Sequence, residues 1–90
     1  MPARRYLVSG RVQGVGYRFF ACSAADRCHA HGFVRNLADG RVEVRADGDT
    51  AAHEVFRAEL ARGPAGSRVR NVTAVELSEP ESYSSFTIRG

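Results

Sequence analysis

The fold of this chain is decided by one stretch of its sequence, Gly10-Arg11-Val12-Gln13-Gly14-Val15-Gly16-Tyr17-Arg18. Residues 5–9 before it form a short β-branched and aromatic run, which predicts a strand that ends near residue 12. Residues 19–30 after it are rich in alanine and contain neither glycine nor proline, which predicts a helix. The stretch therefore leaves a strand and enters the N-terminus of a helix.

A loop of this kind can bind an anion. Glycines such as Gly14 and Gly16 let backbone N–H groups turn toward one point, because no Cβ atom stands in the way. The first N–H groups of a helix have no intrahelical partner and carry the positive end of its dipole. Arg18 adds a permanent cation whose planar guanidinium group can bind two oxygens of a phosphoryl group.

The loop matches neither of the common nucleotide-binding motifs. A dinucleotide fingerprint needs a third glycine, and a P-loop needs a lysine, which this chain lacks altogether. On this fragment alone, two interpretations stay open: a phosphate-binding loop, and a structural turn followed by a surface arginine.

Length and composition favour one small domain. The 90 residues, 1–90, can bury a modest core. The formal charge is +3 and suits an anionic partner, but the arginines are scattered, so we expect a mildly basic surface. No apolar run approaches the ~18 residues of a membrane span, and no signal segment is visible, so we expect a cytoplasmic protein without membrane contact. Cys22 and Cys28 fall in the first helix, too far apart for a disulfide, and we expect reduced thiols.

The rest of the chain predicts a two-layer α+β sandwich. Strands are predicted at residues 33–37, 41–46, 68–78 and 84–89, and a second helix at 50–62 with Asp49 as its N-cap and Gly63-Pro64 as its stop. Residues 79–81 end the long fourth strand. The order is βαββαβ plus one short C-terminal strand, which favours an antiparallel-rich sheet with both helices on one face. The predicted apolar faces are Ala52, Val55, Phe56 and Leu60 in the second helix, and Val69, Val75 and Leu77 in the fourth strand.

The hairpin between the second and third strands has two possible registers, and a slip of one residue exchanges the faces. A two-residue Asp39-Gly40 turn would place Arg35 on the apolar face. A three-residue loop, with Gly40 in the left-handed conformation, puts Arg35 and Glu43 together on the outer face. We favour the second register, which places Asn36 on the inner, helix-covered face. A polar side chain on that face requires a structural or functional explanation.

Two spaced motifs resemble those of the acylphosphatase family. The first is Gly10-x-Val12-Gln13-Gly14-Val15-Gly16-Tyr17-Arg18, and the second is Gly32-x-Val34-x-Asn36-x-x-Asp39-Gly40-x-Val42-Glu43. The likeness extends to Gly63-Pro64, Ser67-Arg68-Val69 and Phe86-Thr87-Ile88-Arg89, and so covers essentially the whole chain. One departure is Cys28-His29-Ala30, where the family often has Leu-Gly-Leu; we expect it to affect stability and not chemistry.

The resemblance implies a ferredoxin-like fold and hydrolysis of acyl phosphates to carboxylate and inorganic phosphate, without metal or other cofactor. Gln13, Gly14, Val15, Gly16, Tyr17 and Arg18 match the phosphate-binding loop. Arg18 also matches the arginine that grips the phosphate, and Asn36 the residue that orients the attacking water. The expected partners are a small acyl phosphate and inorganic phosphate or other anions. We expect a monomer that binds no nucleic acid.

Four alternatives compete with this interpretation. A nucleic-acid-binding module can share the βαββαβ order, but residues 41–45 offer no aromatic side chain for base stacking. A small-ligand regulatory domain would not need Arg18 together with Asn36. A carbamoyl-phosphate-hydrolysing domain of a larger maturation enzyme keeps the chemistry, although 90 residues favour a free-standing enzyme. A metal site at His29, His31 and His53 lacks further ligands at matching spacing, and we interpret these histidines as surface residues.

Overall fold

The computed structural model describes residues 2–78 and 82–89, so residues 79–81, predicted to end the fourth strand, lie outside the described residues. The elements in chain order are β1 (Ala3–Arg11), α1 (Tyr17–Cys28), β2 (His31–Asn36), β3 (Val42–Asp47), α2 (Thr50–Arg62), β4 (Arg68–Leu77) and β5 (Phe86–Arg89). The predicted βαββαβ order with an added strand is confirmed. Boundaries shift by one or two residues at most ends, and β5 is shorter than predicted.

The strands form one sheet in the order β4-β1-β3-β2-β5. All neighbouring pairs are antiparallel except β2 and β5, which are parallel. Both helices pack against one face, where the strands alternate apolar side chains toward them. The fully buried side chains include Tyr6, Val8, Val34, Val42, Val44, Ala21, Ala24, Phe56 and Leu60. The predicted two-layer, ferredoxin-like α+β class is therefore confirmed. Among the described residues, no helix has the length and apolarity needed to cross a membrane.

The hairpin joining β2 to β3 has the three-residue register. Asn36 pairs with Val42, and the Leu37 N–H donates to the Arg41 carbonyl oxygen at 2.8 Å, so residues 38–40 form the loop. Gly40 has a φ of 95°, as a left-handed loop position requires. This register places Asn36 on the helix-covered side, since side chains two apart share a face.

The predicted apolar face of β4 was wrong at Val75, whereas Val69 packs against the core. Ser9 pairs with Asn71 but Gly10 pairs with Val69, so Arg70 is an extra residue in a β-bulge. A bulge reverses the alternation of side chains beyond it. Val72 and Ala74 consequently pack on the core, and Val75 is 51% exposed.

The predicted buried stripe of α2 was wrong at one position. Asp49 caps the helix as predicted, with Oδ1 accepting from the Ala52 N–H at 2.7 Å. The inward side, however, carries His53, which is buried, while Val55 is 57% exposed. The interpretation of His53 as a surface histidine was therefore wrong as well.

A histidine can occupy this core because both of its ring nitrogens have partners. His53 Nε2 lies 3.0 Å from the carbonyl oxygen of Pro2, which can only accept, so Nε2 is the donor. Nδ1 is then free to accept from the Tyr6 hydroxyl at 2.6 Å.

Candidate active site

The loop between β1 and α1, residues 12–16, is called the glycine loop below. Gly14 and Gly16 have φ angles of 75° and 79°, in the left-handed region that glycine adopts without strain. A Cβ atom built on either glycine would meet no other atom within 4 Å. The glycines are thus needed for the path of the backbone, and the space beside them is open to a ligand.

The first turn of α1 presents unpaired donors at the end of this loop. The helical bonding begins with the Phe20 N–H, which donates to the Gly16 carbonyl oxygen at 3.1 Å. No side chain caps the helix at Gly16. Within the part of the chain that the structure describes, the N–H groups of Tyr17, Arg18 and Phe19 find no acceptor. Such groups at a positive helix end suit an anion.

Arg18 and Asn36 lie in one cleft, which we call the loop cleft. It holds about 330 Å³ of empty space and is lined by Val12, Gly14, Gly16, Tyr17, Arg18, Phe19 and Asn36. None of these lining residues is acidic, so the cleft carries the positive charge of Arg18 and the helix end without a carboxylate beside it. The structure thus brings together the two side chains that the sequence singled out.

Asn36 brings an unused acceptor to the loop cleft. Its Oδ1 is buried and forms no hydrogen bond with any described residue. Leaving a buried acceptor unpaired costs about 1–3 kcal/mol, which a donor from a bound molecule would recover. The side chain is therefore suited to accept a hydrogen bond from water or substrate.

Gln13 and Val15 do not line the loop cleft. Gln13 Nε2 donates to the carbonyl oxygens of Leu37 and Arg41, at 2.8 and 2.9 Å. Val15 packs against the core. If either residue contacts an anion there, only its backbone is available, whereas Gly14, Gly16, Tyr17 and Arg18 border the space directly.

Tyr17 fixes the start of α1 to the core. Its hydroxyl is buried and donates to the Leu60 carbonyl oxygen at 2.6 Å. Burial raises the pKa of this hydroxyl well above its ordinary value, so it stays a neutral donor. The first turn, and with it Arg18, is thereby held against α2.

Sequence reasoning missed Phe19, which lines the loop cleft and is 72% exposed. The sequence signal that could have identified Phe19 was its position on the predicted helix. Phe19 falls off the stripe formed by Tyr17, Ala21 and Ala24, so helical spacing already turned it away from the core.

Comparisons with known proteins indicate one family. The family model described as Acylphosphatase matches residues 4–88. The chain is 48% identical over 87 residues to an acylphosphatase of Koribacter versatilis, covering 97% of this chain and 79% of that one. The crystal structure of acylphosphatase from Bacillus subtilis superposes with a TM-score of 0.97, at 37% identity and full coverage of both chains.

A larger protein contains a similar unit. The crystal structure of T. kodakarensis HypF matches with a TM-score of 0.88 and 28% identity, covering 99% of this chain but 12% of that one. The family model and the two acylphosphatases together decide the assignment. This chain belongs to the acylphosphatase family.

Proposed function

We propose that the protein hydrolyses acyl phosphates to a carboxylate and inorganic phosphate in the loop cleft. The observation that carries the proposal is the meeting of Arg18, the unpaired N–H groups of the first turn and the unpartnered Oδ1 of Asn36 around one space. The family membership supports it. The phosphoryl group would lie against the guanidinium group and the N–H groups, and water would lie at Asn36.

The absence of an acidic residue from the lining suits this leaving group. A carboxylate departs without being protonated first, so no general acid is required. Phosphoryl transfer through a loose transition state needs positioning and charge stabilisation above all. Fixed N–H groups and a guanidinium supply both, because they are already oriented before the charge develops.

Asn36 acts on the water in this scheme. Its Oδ1 accepts a hydrogen bond from the attacking water and thereby points an oxygen lone pair at phosphorus. An amide is too weak a base to keep the proton, so the proton passes to a phosphoryl oxygen of the substrate. The P–O bond to water forms as the P–O bond to the acyl oxygen breaks, and carboxylate and phosphate leave.

The test is hydrolysis of benzoyl phosphate in the presence of a chelator. Arg18→Ala is expected to lower kcat/KM by at least about 10²–10³-fold, because it removes one or more preorganised donors. Asn36→Ala is expected to lower kcat strongly and leave the inhibition constant of inorganic phosphate nearly unchanged. Arg27→Ala, an exposed arginine of the same helix outside the loop cleft, is the matched control.

Three results would contradict the proposal. They are full activity of Arg18→Ala, loss of activity on adding the chelator, and equal loss of phosphate binding in Asn36→Ala. The last result would show that Asn36 binds phosphate and does not position the water.

A further inference from the structure

A second and larger space lies outside the loop cleft. It holds about 910 Å³ of empty volume at the end of β1, the β2–β3 turn and the start of β4. Its charged lining consists of Arg11, Asp39, Arg41, Arg68 and Arg70, and we call it the arginine cavity. No residue lines both the arginine cavity and the loop cleft.

The arginine cavity has more cations than its carboxylate can balance. Asp39 is bound to Arg41, with 2.8 Å between Oδ2 and the guanidinium Nη2, and it also accepts from the Arg41 backbone N–H at 3.0 Å. Across residues 2–78 and 82–89, no ion pair is found for Arg11, Arg68 or Arg70. Three of the lining arginines therefore carry a charge that no described carboxylate balances.

The backbone forces two of these cations together. Arg11 and Arg68 are direct partners across β1 and β4, where like charges destabilise a sheet. Next to them, Gly10 has a φ of 122°, and a Cβ atom there would lie 2.1 Å from the Arg68 carbonyl oxygen. The strands thus approach as closely as glycine allows at the bulge, and Arg70 is the extra residue that the bulge inserts.

We propose that the arginine cavity binds a small polyanion that carries two or more phosphoryl groups. One guanidinium group can bind two phosphoryl oxygens, and a concave surface with an excess of positive charge concentrates the field at such a ligand. The part of this space that a water-sized molecule can occupy, about 500 Å³, lies within the range of about 300–1,000 Å³ that is usual for small-ligand sites. A bound polyanion would remove the repulsion between Arg11 and Arg68.

The neighbouring surface favours a small ligand over a nucleic acid strand. On the outer face of the sheet, Arg5 and Arg35 are already bound to Glu43, so the free cations do not continue as a track. Phe33, the aromatic side chain of β2 on this face, is 4% exposed and lies under the Arg89 guanidinium at 4.1 Å from the ring centroid. It is not available for the base stacking that single strands require.

The experiment is calorimetric titration of tripolyphosphate into the full chain. It is performed in the Arg18→Ala background, which removes the principal cation of the loop cleft. Binding is expected to persist there, and to weaken by about tenfold for each cavity arginine removed, in Arg70→Gln and then in Arg68→Gln with Arg70→Gln. Acyl phosphate hydrolysis by the same two cavity variants, made with Arg18 intact, is expected to match that of the parent.

The matched control is Arg27→Gln with Arg57→Gln, which removes the same charge from the exposed surfaces of the two helices. It should change the affinity for tripolyphosphate by less than about twofold, because distant exposed charges are screened. Arg70→Gln alone serves if the double cavity variant fails to fold, since Arg70 has no cross-strand partner. Equal weakening in the control, or loss of all binding in Arg18→Ala, would overturn the proposal.

Discussion

Gln13 joins the glycine loop to Leu37, with its Nε2 donating to the Leu37 carbonyl oxygen at 2.8 Å. The second amide hydrogen reaches the Arg41 carbonyl oxygen at 2.9 Å. Leu37 and Arg41 are themselves paired across the base of the β2–β3 loop, and Leu37 directly follows Asn36. One side chain therefore sets the distance between the loop that would hold the phosphoryl group and the residue that would hold the water.

Replacing Gln13 by Leu is expected to slow the reaction more than it weakens binding. Without the amide the loop and Asn36 can drift apart, and a misplacement of about 1 Å costs on the order of 100-fold in rate. We expect kcat to fall by about 10–100-fold with a smaller change in KM. Steady-state kinetics with benzoyl phosphate provide the measurement.

The control for general destabilisation is Asp49→Ala, which removes the N-cap of α2. That change costs about 1 kcal/mol of stability without touching the loop cleft. If Gln13→Leu and Asp49→Ala had the same kcat when compared at equal folded fraction, Gln13 would have only a structural role.

The position of Asn36 could be predicted from the sequence because charge decided the hairpin register. Only the three-residue loop keeps Arg35 beside Glu43 and away from the core, and the structure pairs them. A register error of one residue would have turned Asn36 to the opposite face. The loop and helix start around Arg18 were predictable for a similar reason, since glycines and an apolar periodicity are local signals.

The features that could not be predicted depend on partners distant in sequence. The bulge at Arg70 is a property of the pairing with β1, and no turn residue marks it in β4. His53 is buried because Tyr6 and Pro2 supply its hydrogen bonds, and no residue near His53 in the sequence indicates these partners. The side-chain bonds of Gln13 likewise end on carbonyl groups, which carry no sequence signal.

Arg18→Lys is expected to fail as a replacement for Arg18. With no acidic residue among those lining the loop cleft, the guanidinium group is free to bind two phosphoryl oxygens at once. An ammonium group is a point charge without this planar pair of donors. We expect kcat/KM to remain at least about 100-fold below that of the parent. A lysine variant within a few-fold of the parent would show that charge alone suffices.

Glu43 makes the stability of the fold depend on pH in the acidic range. It is fully buried on the outer face and bound by Arg5 and Arg35. Burial by itself would raise the pKa of this carboxyl group, but the hydrogen bonds from Arg5 and Arg35 outweigh it and hold the pKa below its ordinary value. The ion pairs thus stabilise the folded state at pH values above the pKa of the unfolded state, about 4.3. This contribution is lost as the pH falls through the lower pKa of the folded state.

The free energy of unfolding of Glu43→Gln should therefore change less with pH below about 5 than that of the parent. At pH 7 the variant should be less stable by about 1–3 kcal/mol, below the usual cost of breaking a fully buried pair, because the arginines are partly exposed. Urea unfolding at several pH values measures both effects. Glu59→Gln, which removes only surface ion pairs, should destabilise the protein less than Glu43→Gln; an equal loss in the two variants would contradict this account.

His29 ends α1 in a conformation that suits glycine. Its φ and ψ are 56° and 35°, and it is the one non-glycine residue with positive φ among those that the structure describes. The turn is otherwise well formed, since the His29 N–H donates to the Asp26 carbonyl oxygen at 3.3 Å and the Ala30 N–H to that of Ala25 at 2.9 Å. The departure from the Leu-Gly-Leu of the family pattern is thus accommodated by left-handed strain at one residue.

His29→Gly is expected to stabilise the protein. A non-glycine residue in the left-handed region costs about 1–2 kcal/mol, which the substitution relieves. Part of this gain in stability is lost because glycine makes the unfolded chain more flexible. A net gain of about 1 kcal/mol would raise Tm by about 4–8 °C in a domain of this size. Asp26→Gly, at an exposed position inside the same helix, should lower Tm, because glycine there costs helix propensity without relieving strain. Benzoyl phosphate hydrolysis should be unchanged in His29→Gly, since His29 is outside the lining of the loop cleft. A fall in Tm for both glycine variants would show that His29 makes a stabilising contribution larger than its backbone strain.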